Sequence, residues 1–116
     1  FAAGELKHGP IALVEEGQPV FIIVPSKRSR NNLHAKVVSN IQEVRARGAV
    51  TIVIAEDGDT DVEAYADHII RIPQSAGLMQ PLLSTIPLQI FASSVAEARG
   101  LNVDQPRNLA KSVTVE

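Results

Sequence analysis

An α/β domain built on a parallel sheet is the fold class this sequence predicts, and three observations carry it. Val20 to Val24 (VFIIV) and Val50 to Ala55 (VTIVIA) are continuous apolar, largely β-branched runs, the pattern of strands covered on both faces. Leu33 to Val44 and Leu78 to Arg99 carry helical signals instead. The order is strand, helix, strand, short helix, strand, long helix. That alternation leads to parallel strands joined by right-handed crossovers.

Taken in order, Glu5 to Val14 (ELKHGPIALV) is polar then apolar and is broken at Gly9-Pro10, because proline disfavours helix at the preceding residue and fixes its own φ. Pro19 leads into the first strand and Pro25 ends it, and the uninterrupted apolar run marks this strand as central. Asn31 or Asn32 is placed to cap the next helix. Leu33, Val37, Val38, Ile41 and Val44 give that helix one apolar face, and Gly48 stops it. After the second strand, Asp61 to Ala66 reads as a short helical turn. His68 to Ile72 (HIIRI) follows as a third strand, its alternating Arg71 pointing to a sheet edge. In the last helix Pro81 suits the first turn, Pro87 predicts a kink and Gly100 ends the segment.

Composition removes several function classes. With 45% hydrophobic residues among 116, the chain can bury a core of its own as one domain or part of one. A net charge of -2, with bases scattered among acids, provides no footprint for nucleic acid or an anionic membrane. The absence of cysteine rules out disulfides, thiolate metal sites and a cysteine nucleophile, and fits a cytoplasmic setting. The apolar stretch from Leu78 to Ala98 contains Gln80, Pro81, Pro87 and Gln89, so it reads as a buried helix and not a membrane span. Nucleotide-binding fingerprints and zinc motifs are absent.

Four stretches hold candidate functional groups. The tail Val103 to Glu116 (VDQPRNLAKSVTVE) carries Arg107 and a lone amine, Lys111, among small and apolar neighbours; it is either a packed tie or part of a site. His8, on the Gly9-Pro10 break, is either an exposed loop residue or a functional imidazole. Ser26 to Arg30 (SKRSR) could meet a phosphate but reads first as a water-facing loop. Glu56-Asp57-Gly58-Asp59 lacks the ligand periodicity of a calcium loop and reads as a solvated acidic turn, with no metal. The chain also opens at Phe1 with no methionine or cap signal, as a segment cut from something longer would.

At ELKHGP (5–10), SNIQEVRARG (39–48), STIPLQIFASSVA (84–96) and VDQPRNLAKSVTVE (103–116), the sequence resembles the C-terminal end of the glutamine:fructose-6-phosphate aminotransferases, also called glucosamine-6-phosphate synthases. The resemblance covers essentially the whole chain. It implies a three-layer αβα sugar isomerase (SIS) fold, of which residues 1–102 are the later part of a second SIS domain with about three strands. Residues 103–116 are then an ordered active-site tail. It further implies that no cofactor or metal is needed, and that fructose 6-phosphate becomes glucosamine 6-phosphate with ammonia from a separate glutaminase domain. By resemblance, His8 assists sugar ring opening in the neighbouring subunit of a homodimer, and Lys111 forms an imine with the open-chain ketose. Leu109 and Ala110 are expected to border the substrate. The glutamate base of that family lies just upstream of Phe1, and its phosphate-holding serines and threonines lie in the first SIS domain. The alternative is a non-catalytic SIS module that senses sugar phosphates or dimerises.

Overall fold

The structure, a computed structural model, describes residues 1–29, 32–105 and 107. Its sheet has three parallel strands in sequence order: β1 (Pro19–Ile23), β2 (Val50–Glu56) and β3 (His68–Ile72). Phe21 pairs with Ile52, and Ile52 in turn with His68, so both ladders are in the parallel register that only crossover connections allow. The first crossover is helix α2 (Leu33–Arg45) and the second is the turn-rich segment 57–67. A short helix α1 (Ala3–Leu6) and a 3₁₀ turn (Pro10–Leu13) precede the sheet.

Two compact units divide the chain, Phe1–Ser84 and Thr85–Glu116. In the first, α2 presents Val37, Val38 and Ile41 to Ile22, Val24, Val53, Ala55 and Ile69, which share one face of the sheet by the two-residue period of strands. Ile11 of the 3₁₀ turn, Val44 of α2 and Ala49 form a second cluster with Leu6, Val14 and Val20. Ile41, Val53 and Ile54 are fully buried, and each such side chain stabilises the fold by about 2 kcal/mol through removal from water. Gly48 closes the α2–β2 turn at φ 85°, where a Cβ would lie 3.1 Å from the backbone of Glu16.

The central strand is β2, and β1 lies at an edge of the described sheet with Ile23 45% exposed. This corrects the expectation that Val20 to Val24 is the central strand. An apolar run reports that its side chains find cover, not that another strand flanks each edge. Asn32 stands at the start of α2 but makes no capping hydrogen bond, since its φ of -77° and ψ of 26° depart from the extended geometry that aims a cap at the helix. Asn31 lies outside the described residues.

Helix α3 (Gln80–Ala98) begins with Pro81 in its first turn and runs unbroken through Pro87. In the second unit it ends in a paired cap: Gly100 N–H donates to Glu97 O and Leu101 N–H to Ala96 O, with Gly100 at φ 68°. Ile90, Phe91 and Val95 are exposed along it. Beyond it, Asn102 Oδ1 accepts from the N–H groups of Asp104 and Gln105. Among the described residues no helix is long and apolar enough to cross a membrane.

Candidate functional site

Parallel strands end on the same side of a sheet, and in α/β domains that side is where ligand sites form. Here the carboxyl ends of β1 and β2 bring segment 24–29 against segment 56–61. Gln80, from the first turn of α3, closes this corner. Its Nε2 donates to Val24 O at 2.9 Å and its Oε1 accepts from Ser26 N–H at 3.0 Å, so one side-chain amide satisfies two backbone groups where the strand leaves the ladder. Ser26 Oγ donates to Glu56 Oε2 at 2.8 Å, Arg28 Nη2 reaches the same oxygen at 3.3 Å, and Ser75 N–H donates to Oε1 at 3.3 Å. The Glu56 carboxylate is 7% exposed and holds three donors of different kinds.

Beside it lies an ion-pair network. Lys27 Nζ sits 3.2 Å from Asp59 Oδ1 and 2.8 Å from Asp61 Oδ2, while His34 Nε2 and Asp59 Oδ2 are 2.6 Å apart. A carboxylate only accepts, so His34 carries a proton on Nε2. Burial opposes the Asp59 charge, but the His34 and Lys27 hydrogen bonds outweigh it and hold its carboxyl below the usual aspartate value. Arg71 Nη1 donates to the carbonyls of Glu56 and Asp59, and its Nη2 pairs with Glu63, fastening the same loop from β3. His34, Asp59 and Asp61 have the residue types and proximity of a metal site. The Lys27 ammonium already lies against both carboxylates and supplies the cation that a metal would bring.

These two clusters correct two readings of the sequence. Ser26, Glu56 and Asp59 are buried, against the expectation of a water-facing loop at 26–30 and a solvated turn at 56–59, while Lys27, Arg28, Ser29, Asp57 and Gly58 are exposed as expected and Arg30 lies outside the described residues. The acids and bases are separated by about thirty positions along the chain, so composition within either loop gave no sign that they neutralise each other. His34 left a fainter mark: it stands three, four and seven residues before Val37, Val38 and Ile41, on the apolar face of α2. Gln80 is one of several polar residues along α3, with Ser84, Gln89 and Ser93 among the others, so nothing in the sequence set it apart.

The other candidates stand differently. His8 is exposed on the turn between α1 and the 3₁₀ segment, its backbone N–H donating to Glu5 O. Its imidazole makes no hydrogen bond or ion pair with the described residues. Arg107 is exposed and lines a cavity of about 840 Å³ with residues 89–105 of the second unit. Leu109, Ala110 and Lys111 lie outside the described residues.

Comparison with known proteins supplies what geometry alone does not. The chain is 81% identical over all 116 residues to the glutamine–fructose-6-phosphate aminotransferase (isomerizing) of Corynebacterium diphtheriae, and 68% identical to that of Mycobacterium tuberculosis. In each case it spans 19% of the relative's length. Its fold matches the solved C-terminal domain of glucosamine-fructose-6-phosphate aminotransferase from Francisella tularensis with a TM-score of 0.74 and 34% identity, over 89% of this chain and 28% of that one. The model of the SIS domain matches residues 1–97, which takes in the Lys7–Pro10 turn, the sheet and nearly all of α3. The chain therefore belongs to the SIS domain family.

Proposed function

We propose that this chain is the later part of the isomerase half of a glutamine:fructose-6-phosphate aminotransferase, which makes glucosamine 6-phosphate from fructose 6-phosphate and glutamine. The observation that carries this reading is the 81% identity extending over the whole chain, tail included. On this reading the protein is a cytoplasmic homodimer in hexosamine biosynthesis, supplying cell-wall precursors, and its ammonia comes from a glutaminase domain elsewhere in the polypeptide.

The chemistry assigns two residues. Ring opening needs a group that moves a proton between the ring oxygen and the anomeric hydroxyl, and imidazole does this near neutral pH. The exposed imidazole of His8 supports that role, since none of the described residues holds it. In the open-chain ketose the C2 carbonyl is an electrophile. The Lys111 amine adds to C2 and water leaves, giving an imine that acidifies the C1 proton for transfer to C2. This requires an unprotonated lysine, for which a drop from about 10.4 toward roughly 7 to 8 is needed. Leu109 and Ala110, beside it in sequence, are apolar residues of the kind that drop requires.

Borohydride trapping tests the assignment. In the full-length protein with fructose 6-phosphate, reduction fixes sugar mass on the tail peptide containing Lys111. Lys111→Arg keeps the charge but cannot form an imine, so trapping vanishes and turnover falls by about a hundredfold or more. Normal isomerisation by Lys111→Arg would defeat the reading. Absence of any glucosamine 6-phosphate synthesis by the wild-type protein would favour a non-catalytic SIS module.

A further inference from the structure

We propose that the crevice at the ends of β1 and β2 is an oxyanion site whose resident oxyanion is the chain's own Glu56 carboxylate. Its ligand class is a small oxyanion such as phosphate, and Glu56 is the intramolecular competitor that excludes it. The inference is independent of the reaction assigned above.

The donor set carries the argument. Ser26 Oγ, Arg28 Nη2 and Ser75 N–H converge on the two oxygens of Glu56 at 2.8, 3.3 and 3.3 Å. A hydroxyl, a guanidinium and a backbone N–H are the groups that proteins bring to phosphate oxygens. The carboxylate meets them as one planar anion with two acceptor atoms. Gln80 holds Ser26 in place through the backbone, and Arg28 N–H donates to Ser26 Oγ at 3.2 Å, so the donors are organised around the anion and not merely near it.

Space is the second observation. A purely structural tie would fill its corner. Here Ser26, Arg28 and Gln74 border a cavity of about 510 Å³ that continues along Ser75 and Gly77, and among its described lining residues there is no carboxylate. The same three residues border a smaller cavity of about 150 Å³, where Glu56, Asp57 and Asp59 form part of the wall together with Lys27. Among the described residues Arg28 is the one cation facing both, and Glu56 is the charge paired to it; the neighbouring Lys27 is committed to Asp59 and Asp61. Removing the Glu56 charge therefore leaves a roomy cavity with an uncompensated guanidinium and two further donors.

Hydrogen exchange read by mass spectrometry in the full-length protein, with inorganic phosphate as the probe, tests this locally at segments 26–29 and 74–77. From wild type to Glu56→Gln, the phosphate concentration giving half-maximal protection of these segments falls by about tenfold or more, the scale of one charge-assisted hydrogen bond. Adding Arg28→Met to that variant raises it again. An equal response in wild type and Glu56→Gln overturns the proposal, as does no response in either, or a response that survives Arg28→Met. Should Glu56→Gln fail to fold, Glu56→Asp keeps the charge but shortens the arm by one methylene. It must then show protection at lower phosphate than wild type, and an unchanged response overturns the proposal equally.

Discussion

The strand-end crevice and the turn around His8 are both polar, and they differ in what satisfies them. In the crevice, the charges of Lys27, Arg28, Glu56 and Asp59 find opposite charges or donors within the same unit. At the turn, the His8 imidazole is exposed and has no partner among the described residues. Polar groups that complete one another hold a fold together, because each would be costly to bury alone. A titratable group left over on an ordered turn contributes little to stability and is available to something outside its own unit. The contrast is between a crevice whose charges neutralise one another and an exposed imidazole at His8 with no partner among the described residues.

The sharpest way to break that contrast is Asp59→Ala. It leaves His34 buried without its acceptor and Lys27 with one carboxylate in place of two, and should destabilise the protein by about 3 kcal/mol, read from chemical denaturation. A loss no larger than that of an ordinary surface substitution, about 0.5 kcal/mol, would mean the network is not holding the loop. His8→Ala should do the opposite. Stability should change by less than about 0.5 kcal/mol while, on the proposed function, turnover by the full-length protein falls about a hundredfold, the usual scale of a lost acid–base group. If the variant instead unfolds, His8 belongs with the structural residues.

A smaller, pH-dependent effect sharpens the same comparison. The folded-state pKa of Asp59 is lowered, so its contribution is fully present above its unfolded value, near 3.8, and is lost as the pH falls through the folded value. The stability gap between wild type and Asp59→Asn should therefore be constant from about pH 7 to pH 5 and shrink below about pH 4. A gap that does not narrow in acid would show that the Asp59 charge is not what matters.

Much of the fold was legible in order and kind. The three strands, α2, the stop at Gly48 and the end of α3 at Gly100 each rest on local chemistry: β-branched runs, three- and four-residue spacing, and glycines at φ 85° and 68°. The position of β1 was not legible, because lying beside one strand or two depends on partners the run itself does not name. The crevice was illegible for a related reason. Ser26, Glu56, Ser75 and Gln80 come from four separate stretches, and each is an ordinary polar residue until the fold brings them together.

By itself the sequence determined the α/β class, the parallel pairing of the strands and the family, because these follow from local periodicity and from motifs contiguous in the chain, such as Lys7–Pro10 and the tail. Only the tertiary structure decided which acids and bases are buried. Whether Glu56 and Asp59 lose water depends on whether Ser26, Arg28, His34 and Lys27 arrive at the same strand ends. That meeting is set by the parallel register of β1 on β2 and by α2, which carries the chain back between them. A charge is buried when its partners are in place, and partners distant in sequence meet only through the fold.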